Sequence, residues 1–421
     1  MEFWVNFLLG EMKMQRFSQI EKYIEENVSE MVELEKILVP VKALAPENGG
    51  DGELEKCLVL EKYLKAHGIE LLSRYDAPDP RVSSGVRPNL IAEIPGESNE
   101  YTVWVCAHLD VVPQGEISLW NSDPWQAVVR DGKIYGRGVE DNQQGLCSGV
   151  LAALSFVQQK IRPAHTVKLL FMADEEVGSN YGMNWLLENH GSLFSKNDRI
   201  LIPDGGDEKG ETIEIAEKNL LWLKLHTIGK QAHGSRPDQG CNAKLAACDL
   251  AMRLHGLEKF FSKTDPAFEP PYSTFQPTMQ YQNVSGVNII PGDDVFCMDM
   301  RILPDYSLDE VMEKVRSVIS GVESEYGVRV ETEKLQSEES KATSADAAVV
   351  QELKKSIREV HGIEARCIGI GGGTVAAGLR NKGFDAVVWS SMDETAHQPN
   401  EHAVIENIAR DAKTIAYMAL I

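Results

Sequence analysis

The chain has 421 residues and a formal net charge of −22, with 43% hydrophobic and 25% charged residues. That length exceeds one ordinary domain and leaves room for large cores, and the composition is that of a soluble globular protein. So acidic a balance argues against nucleic acid or an acidic membrane surface as a partner, and suits a protein that handles small molecules or cations. The seven cysteines (57, 106, 147, 241, 248, 297 and 367) form no CxxC pair. An odd count in a long chain is not a disulfide framework, and the cytoplasm is the expected compartment. Cys106 lies inside the apolar run Val103–Ala107 and reads as a packing residue.

An apolar cluster, Phe3–Val5 and Phe7–Leu9, opens the chain without a preceding Lys or Arg. It is too short for a membrane span and reads as an extra helical turn or as a leader before a start at Met14. Phe17 to Leu38 then repeats apolar residues at a helical period. Leu54–Ala66 is a second helix. Asn89–Ile94 and Thr102–Ala107 read as strands, and Asp131-Gly132 joins a hairpin. Gln144–Gln158 reads as a helix, His165–Met172 as a strand, Tyr181–Asn189 as a helix and Arg199–Ile202 as a strand. Strands alternating with helices imply a largely parallel sheet covered on both faces.

Beyond this the pattern changes. Leu220–Thr227, Asn242–Phe261, Thr274–Gln282, Val295–Ile302, Ser307–Tyr326 and Val328–Lys334 read as β-α-β-β-α-β, the ferredoxin-like order. Alternating helix and strand resume after Ala347. The economical architecture is an α/β catalytic domain in two parts, residues 1–218 and 337–421, interrupted by an α+β domain at 219–336.

The chemistry concentrates at strand ends. Ala173-Asp174-Glu175-Glu176 follows the apolar strand His165–Met172 directly. Adjacent carboxylates raise each other's pKa unless a cation takes one of them. One metal-bound Glu beside one free to move protons resolves the conflict. His108-Leu109-Asp110 ends another strand, where positions i and i+2 share a face, so the Asp can hold the imidazole in one tautomer while its other nitrogen binds metal. Gly136-Arg137-Gly138-Val139-Glu140-Asp141 could set a carboxylate between two cations, although Asp141 as a helix cap is an equal reading in isolation. Asp204 alone looks like a turn residue, and His397 offers a second imidazole. Taken together, imidazole and carboxylate donors suit zinc, with manganese or cobalt tolerated.

With these motifs in this order, from about Leu54 onward, the chain resembles the M20 metallopeptidase family. That family includes carboxypeptidases, dipeptidases, aminoacylases, acetylornithine deacetylase and succinyl-diaminopimelate desuccinylase. The resemblance implies a zinc-peptidase-like α/β catalytic domain with an inserted ferredoxin-like lid, through which two copies would form a homodimer. It implies two divalent ions, held by His108, Asp141, Glu176, Asp204 and His397, with Asp141 bridging. It implies Asp110 as a support, Glu175 as general base, and hydrolysis of an amide by a metal-activated water. Within the insertion, Gly229-Lys-Gln-Ala-His233-Gly-Ser235 matches the motif whose His stabilises the oxyanion, often across a dimer. Asn288 and Arg301 match positions that contact substrate oxygens, and Gly371-Gly372-Gly373-Thr374 the loop that receives a substrate carboxylate.

Two positions depart from the family's pattern. Asp141 is followed by Asn142-Gln143-Gln144-Gly145, without the usual Lys, and Asp204 stands where acylases and carboxypeptidases often carry Glu. The shorter acid favours small peptides as substrates, in the manner of a dipeptidase or aminopeptidase. An N-acyl-amino-acid amidohydrolase is the alternative, and a binding protein without catalysis is a distant third because no expected ligand is missing.

Overall fold

The computed structural model describes residues 2–421, with side chains from Lys13 onward. It divides into two compact units: residues 1–215, 343–367 and 374–421 form the first, and residues 216–342 with 368–373 the second. The segment 368–373 therefore belongs with the second unit, and not with the catalytic remainder as the sequence boundaries had it.

The expected helix at Phe17–Leu38 is part of a longer one, Glu2–Leu38. It covers the apolar N-terminal cluster in backbone, while that cluster's side chains fall outside the described residues. Ile20, Ile24, Met31 and Leu38 enter the main core. Phe17 meets Tyr417 of the helix Ile405–Leu420 edge-on, with ring centroids 4.9 Å apart. Lys413 on that helix reaches Glu25 at 2.6 Å.

The larger sheet has eight strands, in the spatial order Leu72–Pro78, Val86–Ile94, His165–Met172, Ser98–His108, Arg199–Asp207, Ala386–Ser391, Thr212–Glu217, Arg366–Ile370, the first six lying wholly in the first unit. Its middle is parallel: Ser98–His108 pairs in parallel with His165–Met172 and with Arg199–Asp207, which pairs in parallel with Ala386–Ser391. Its flanks are antiparallel, against the expectation of a largely parallel sheet. The turn between Leu72–Pro78 and Val86–Ile94 is too short for a crossover, so that pair can only be antiparallel. Runs such as Val167, Leu169, Leu170 and Phe171 are buried because helices such as Gly145–Gln159 cover the central strands. The hairpin Val128–Arg130/Lys133–Tyr135 turns at Asp131-Gly132, both at positive φ (51° and 74°), as its twist requires.

The second unit has the ferredoxin-like order expected. Its four strands lie as Thr274–Gln280, Asp293–Ile302, Asn219–Ile228, Arg329–Glu338, all antiparallel. Leu221, Leu223 and Leu225 alternate inward against Leu250, Val315 and Ile319 of the helices Ala243–His255 and Leu308–Tyr326. Ser307 and Glu310 close a capping box at the start of the latter helix.

One half-buried histidine of the first unit gives acid sensitivity a defined source. His361 ends the helix Ala348–His361, its Nε2 2.9 Å from Thr414 Oγ1 and its ring edge-on to Trp389. Burial foremost, then the charge of Arg410, lowers its pKa from 6.5 to about 4. Between those values the unfolded chain binds the proton and the folded chain does not, so stability is lost as pH falls through this window. In urea unfolding at pH 7 and pH 4, the wild type is expected to lose on the order of 2 kcal/mol more than His361→Gln. An equal loss in the two proteins would remove His361 as the source.

Candidate metal centre

His108 is the last residue of its strand, and Leu109 N continues the ladder to Met172 O at 2.8 Å. Two neighbouring strands thus end side by side, His108 on one and the Asp174–Glu176 turn on the other. His108 Nδ1 donates to the Asp110 carbonyl at 3.0 Å, which turns Nε2 toward Asp141 Oδ1, 2.8 Å away, and Asp204 Oδ1, 3.7 Å away. A carbonyl can only accept, so Nε2 is left to meet those acids through a proton or a cation.

The Asp110 carboxylate also supports the neighbouring turn. It stands 3.4 Å from His108 Nδ1, and its two oxygens accept the backbone N–H groups of Glu175 and Glu176, each at 3.0 Å. Paired N–H donors of a tight turn match a carboxylate better than one ring nitrogen does. Asp174, at φ 68°, starts that turn. Arg87, wholly buried, grips it from behind: it pairs with Asp174 at 3.1 Å and also with Glu53. Asn89 adds a bond from Ala173 N at 3.2 Å and one to Tyr181 O at 2.9 Å. A lone Arg and Asn in the apolar strand Val86–Ile94 were the available signal for this support.

Asp141 lies in the turn Val139–Gln144 with non-helical torsions (φ −112°, ψ 93°) and a cis peptide to Asn142. Gly138 precedes it at φ 86°, and a Cβ there would come 2.4 Å from Val111 Cγ1, so only glycine fits. Asp141 offers Oδ1 to His108 and Oδ2 to His397 Nε2 at 3.0 Å, one oxygen to each imidazole. His397 Nε2 is also 3.0 Å from Glu176 Oε2. Asn142 Nδ2 bonds Pro203 O at 2.8 Å and Asp204 Oδ1, fixing the second acid beside His108. Two groups result, His108–Asp141–Asp204 and Asp141–Glu176–His397, each with ligand atoms within 4.8 Å of one another. Glu175 belongs to neither.

Electrostatics argue that cations fit here. Asp141, Glu175, Glu176 and Asp204 crowd against two imidazoles. Burial opposes a charged His108, yet the Asp204 charge and hydrogen bonds to Asp110 and Asp141 raise its pKa well above the ordinary value. Hydrogen bonds to Asp141 and Glu176 raise that of His397 to about 10. Burial, then the Asp141 charge, lifts Glu176 to about 7. Burial, then Asp204, lifts Glu175 well above the carboxylate range. For Asp141 burial works the same way, but its bonds to both imidazoles prevail and hold it low. A positive charge is favoured between these acids, where divalent cations would neutralise them. Glu176 Oε1 is buried without a hydrogen-bond partner, a further acceptor for such an ion.

Most of the other expected residues belong to the second unit. His233 and Asn288 come together within the second unit: His233 pairs with Ile289 and Gly234 N bonds Asn288 O at 2.7 Å. Both are exposed, and His233 Nδ1 is 2.9 Å from Ser235 Oγ. Arg301, in the same unit, spends Nε on Asp299 at 2.7 Å and Nη1 on Gly371 O at 2.7 Å, so its fork is already partly engaged. Gly372 and Gly373 are exposed. Thr374, in the first unit, caps the helix Val375–Asn381 by accepting from Ala376 N, a use the Gly-rich loop reading did not foresee.

Comparison with known proteins agrees with this geometry. The model of peptidase family M20/M25/M40 matches residues 104–420, a span holding both imidazoles and all the clustered acids. An uncharacterized metallohydrolase of Methanocaldococcus jannaschii is 39% identical over 404 residues, covering 92% of this chain and 98% of the relative. A succinyl-diaminopimelate desuccinylase of Wolbachia pipientis is 25% identical over 379 residues, covering 90% and 89%. Human carnosine dipeptidase 1 shares the fold at a TM-score of 0.75 and 17% identity, covering 96% of this chain and 98% of its own. With a family model matching more than half of its length, the chain belongs to peptidase family M20/M25/M40 as a metallohydrolase acting on amide bonds.

Proposed function

We propose that the chain cleaves amide bonds of small peptides, as a dipeptidase- or aminopeptidase-like hydrolase with two divalent cations. His108, Asp141 and Asp204 would hold one and Asp141, Glu176 and His397 the other, zinc being first choice and Co2+ or Mn2+ tolerated. The observation that carries the reading is Asp141, whose two oxygens face different imidazoles. When bound, such cations polarise an amide carbonyl and acidify water. Glu175, outside both groups, takes the proton of the attacking water and returns it to the leaving amine. Asp110 keeps Glu175 and Glu176 at a fixed spacing by gripping both their N–H groups.

His233 as oxyanion donor, and Asn288, Arg301, Gly372, Gly373 and Thr374 as substrate contacts, belong to the same proposal and rest on the family resemblance. So does a homodimer through the second unit, supported by the outer edge of Thr274–Gln280, which pairs with no further strand among the described residues, and by exposed Leu245, Met252 and Met279. The seven free cysteines suit a reducing compartment, which supports the cytoplasm.

The short acid at Asp204 favours peptides. The desuccinylase relative favours a second reading, hydrolysis of N-acyl amino acids. Amine release from a panel of free dipeptides, against N-succinyl and N-acetyl amino acids, separates them. Dipeptides are expected to be hydrolysed faster. Turnover of the N-acyl compounds with no amine from any dipeptide would select the second reading.

A further inference from the structure

The loop that carries His397 is held against its own backbone preference. Glu394, His397 and Asn400 sit at φ of 57°, 64° and 63°. Residues with a Cβ avoid that region at a cost of about 1 kcal/mol or more each, so surrounding contacts must over-determine it. His397 itself is exposed.

Two buried carboxylates supply the restraint. Glu140, beside Asp141, accepts Asp393 N on Oε1 at 2.8 Å, and on Oε2 it accepts Thr395 N and, at 2.8 Å, Thr395 Oγ1. Glu401, four residues after His397, answers in the other direction. Its Oε1 accepts Glu140 N at 3.1 Å and Asp141 N at 3.2 Å, while Oε2 takes the buried guanidinium of Arg137. Each segment thus lends one carboxylate to cap the other's backbone. Gly136 N on Glu401 O at 3.1 Å and the pairing of His402 with Tyr135 prolong the seam. Charge-assisted bonds of this kind are the strong ones.

We propose that Glu140 and Glu401 are positioning residues that set the reach of His397 to Asp141, with divided effects. Glu140 holds only the loop, and so governs the Asp141–Glu176–His397 group. Glu401 holds the backbone of Asp141, and so governs both groups. This rests on the two-cation reading given above.

The test is a calorimetric titration of Co2+ into the metal-free full chain, with the visible absorption of the bound ion read alongside. Wild type takes up two equivalents. In Glu140→Gln one equivalent keeps its affinity and the other weakens by on the order of 10- to 100-fold, as for other groups that orient ligands. In Glu401→Gln both weaken. Thr395→Val, which deletes one donor to Glu140 at nearly constant volume, shows the Glu140 pattern in milder form and serves if Glu140→Gln does not fold. Glu140→Gln or Thr395→Val with both equivalents unchanged, or both weakened alike, overturns the division of roles. A wild type that takes up fewer than two equivalents overturns the two-cation reading and this one with it.

Discussion

Glu175→Gln is expected to lower kcat by at least roughly 10²-fold, and up to about 10⁴-fold, with metal uptake unchanged. The carboxylate lies at the turn after His165–Met172, outside both ligand groups, while its neighbour Glu176 faces His397 at 3.0 Å. The substitution keeps the shape and removes the capacity to accept a proton. The backbone of the turn stays in place because Asp110 holds it through main-chain N–H groups, which the side-chain change leaves untouched. Rate and metal content therefore separate. Single-turnover hydrolysis beside elemental analysis of the same sample makes the check. A rate equal to wild type at full metal load would refute the role.

Asp141→Ala is expected to abolish tight uptake of both cations and to reduce kcat/KM by at least roughly 10³-fold, since a bound cation is worth several kcal/mol of transition-state stabilisation. Asp204→Asn and His397→Ala each strike one group and should weaken one equivalent. The contrast follows from Asp141 placing one oxygen against His108 and the other against His397. Titration of Zn2+ into the three variants compares them. Asp141→Ala retaining one tight equivalent would show that the carboxylate serves a single ion.

The clustered acids were legible because each sits at a punctuation point. His165–Met172 is apolar enough to be read as a strand to the residue, and three acids after so apolar a strand outweigh the reading of two solvated surface carboxylates. Asp204 was legible only in company, since a lone Asp before Gly-Gly resembles any turn. What escaped is charge buried in pairs. Glu140 and Glu401 look solvated in sequence, and the bond that joins them spans 261 positions. Arg87 is hidden likewise among partners at 53, 79 and 174. The strand Leu72–Pro78 left no alternating pattern because it is an edge with only Ala77 fully buried. The helix Ile405–Leu420 carried a readable period at Ile408, Ala412, Ile415 and Ala419, but nothing in it signals that it packs on the helix at the opposite end of the sequence.

That last arrangement dictates an order of assembly. The strands and helices of the second unit's sheet all fall within residues 216–342, so its interior can condense as soon as that stretch leaves the ribosome. The first unit cannot: Ala386–Ser391 is an inner strand of its sheet, and Ile405–Leu420 seals the flank opened by Glu2–Leu38. During synthesis the insertion can therefore close its core first, while the earlier-made half still lacks the strand and helix that complete its own.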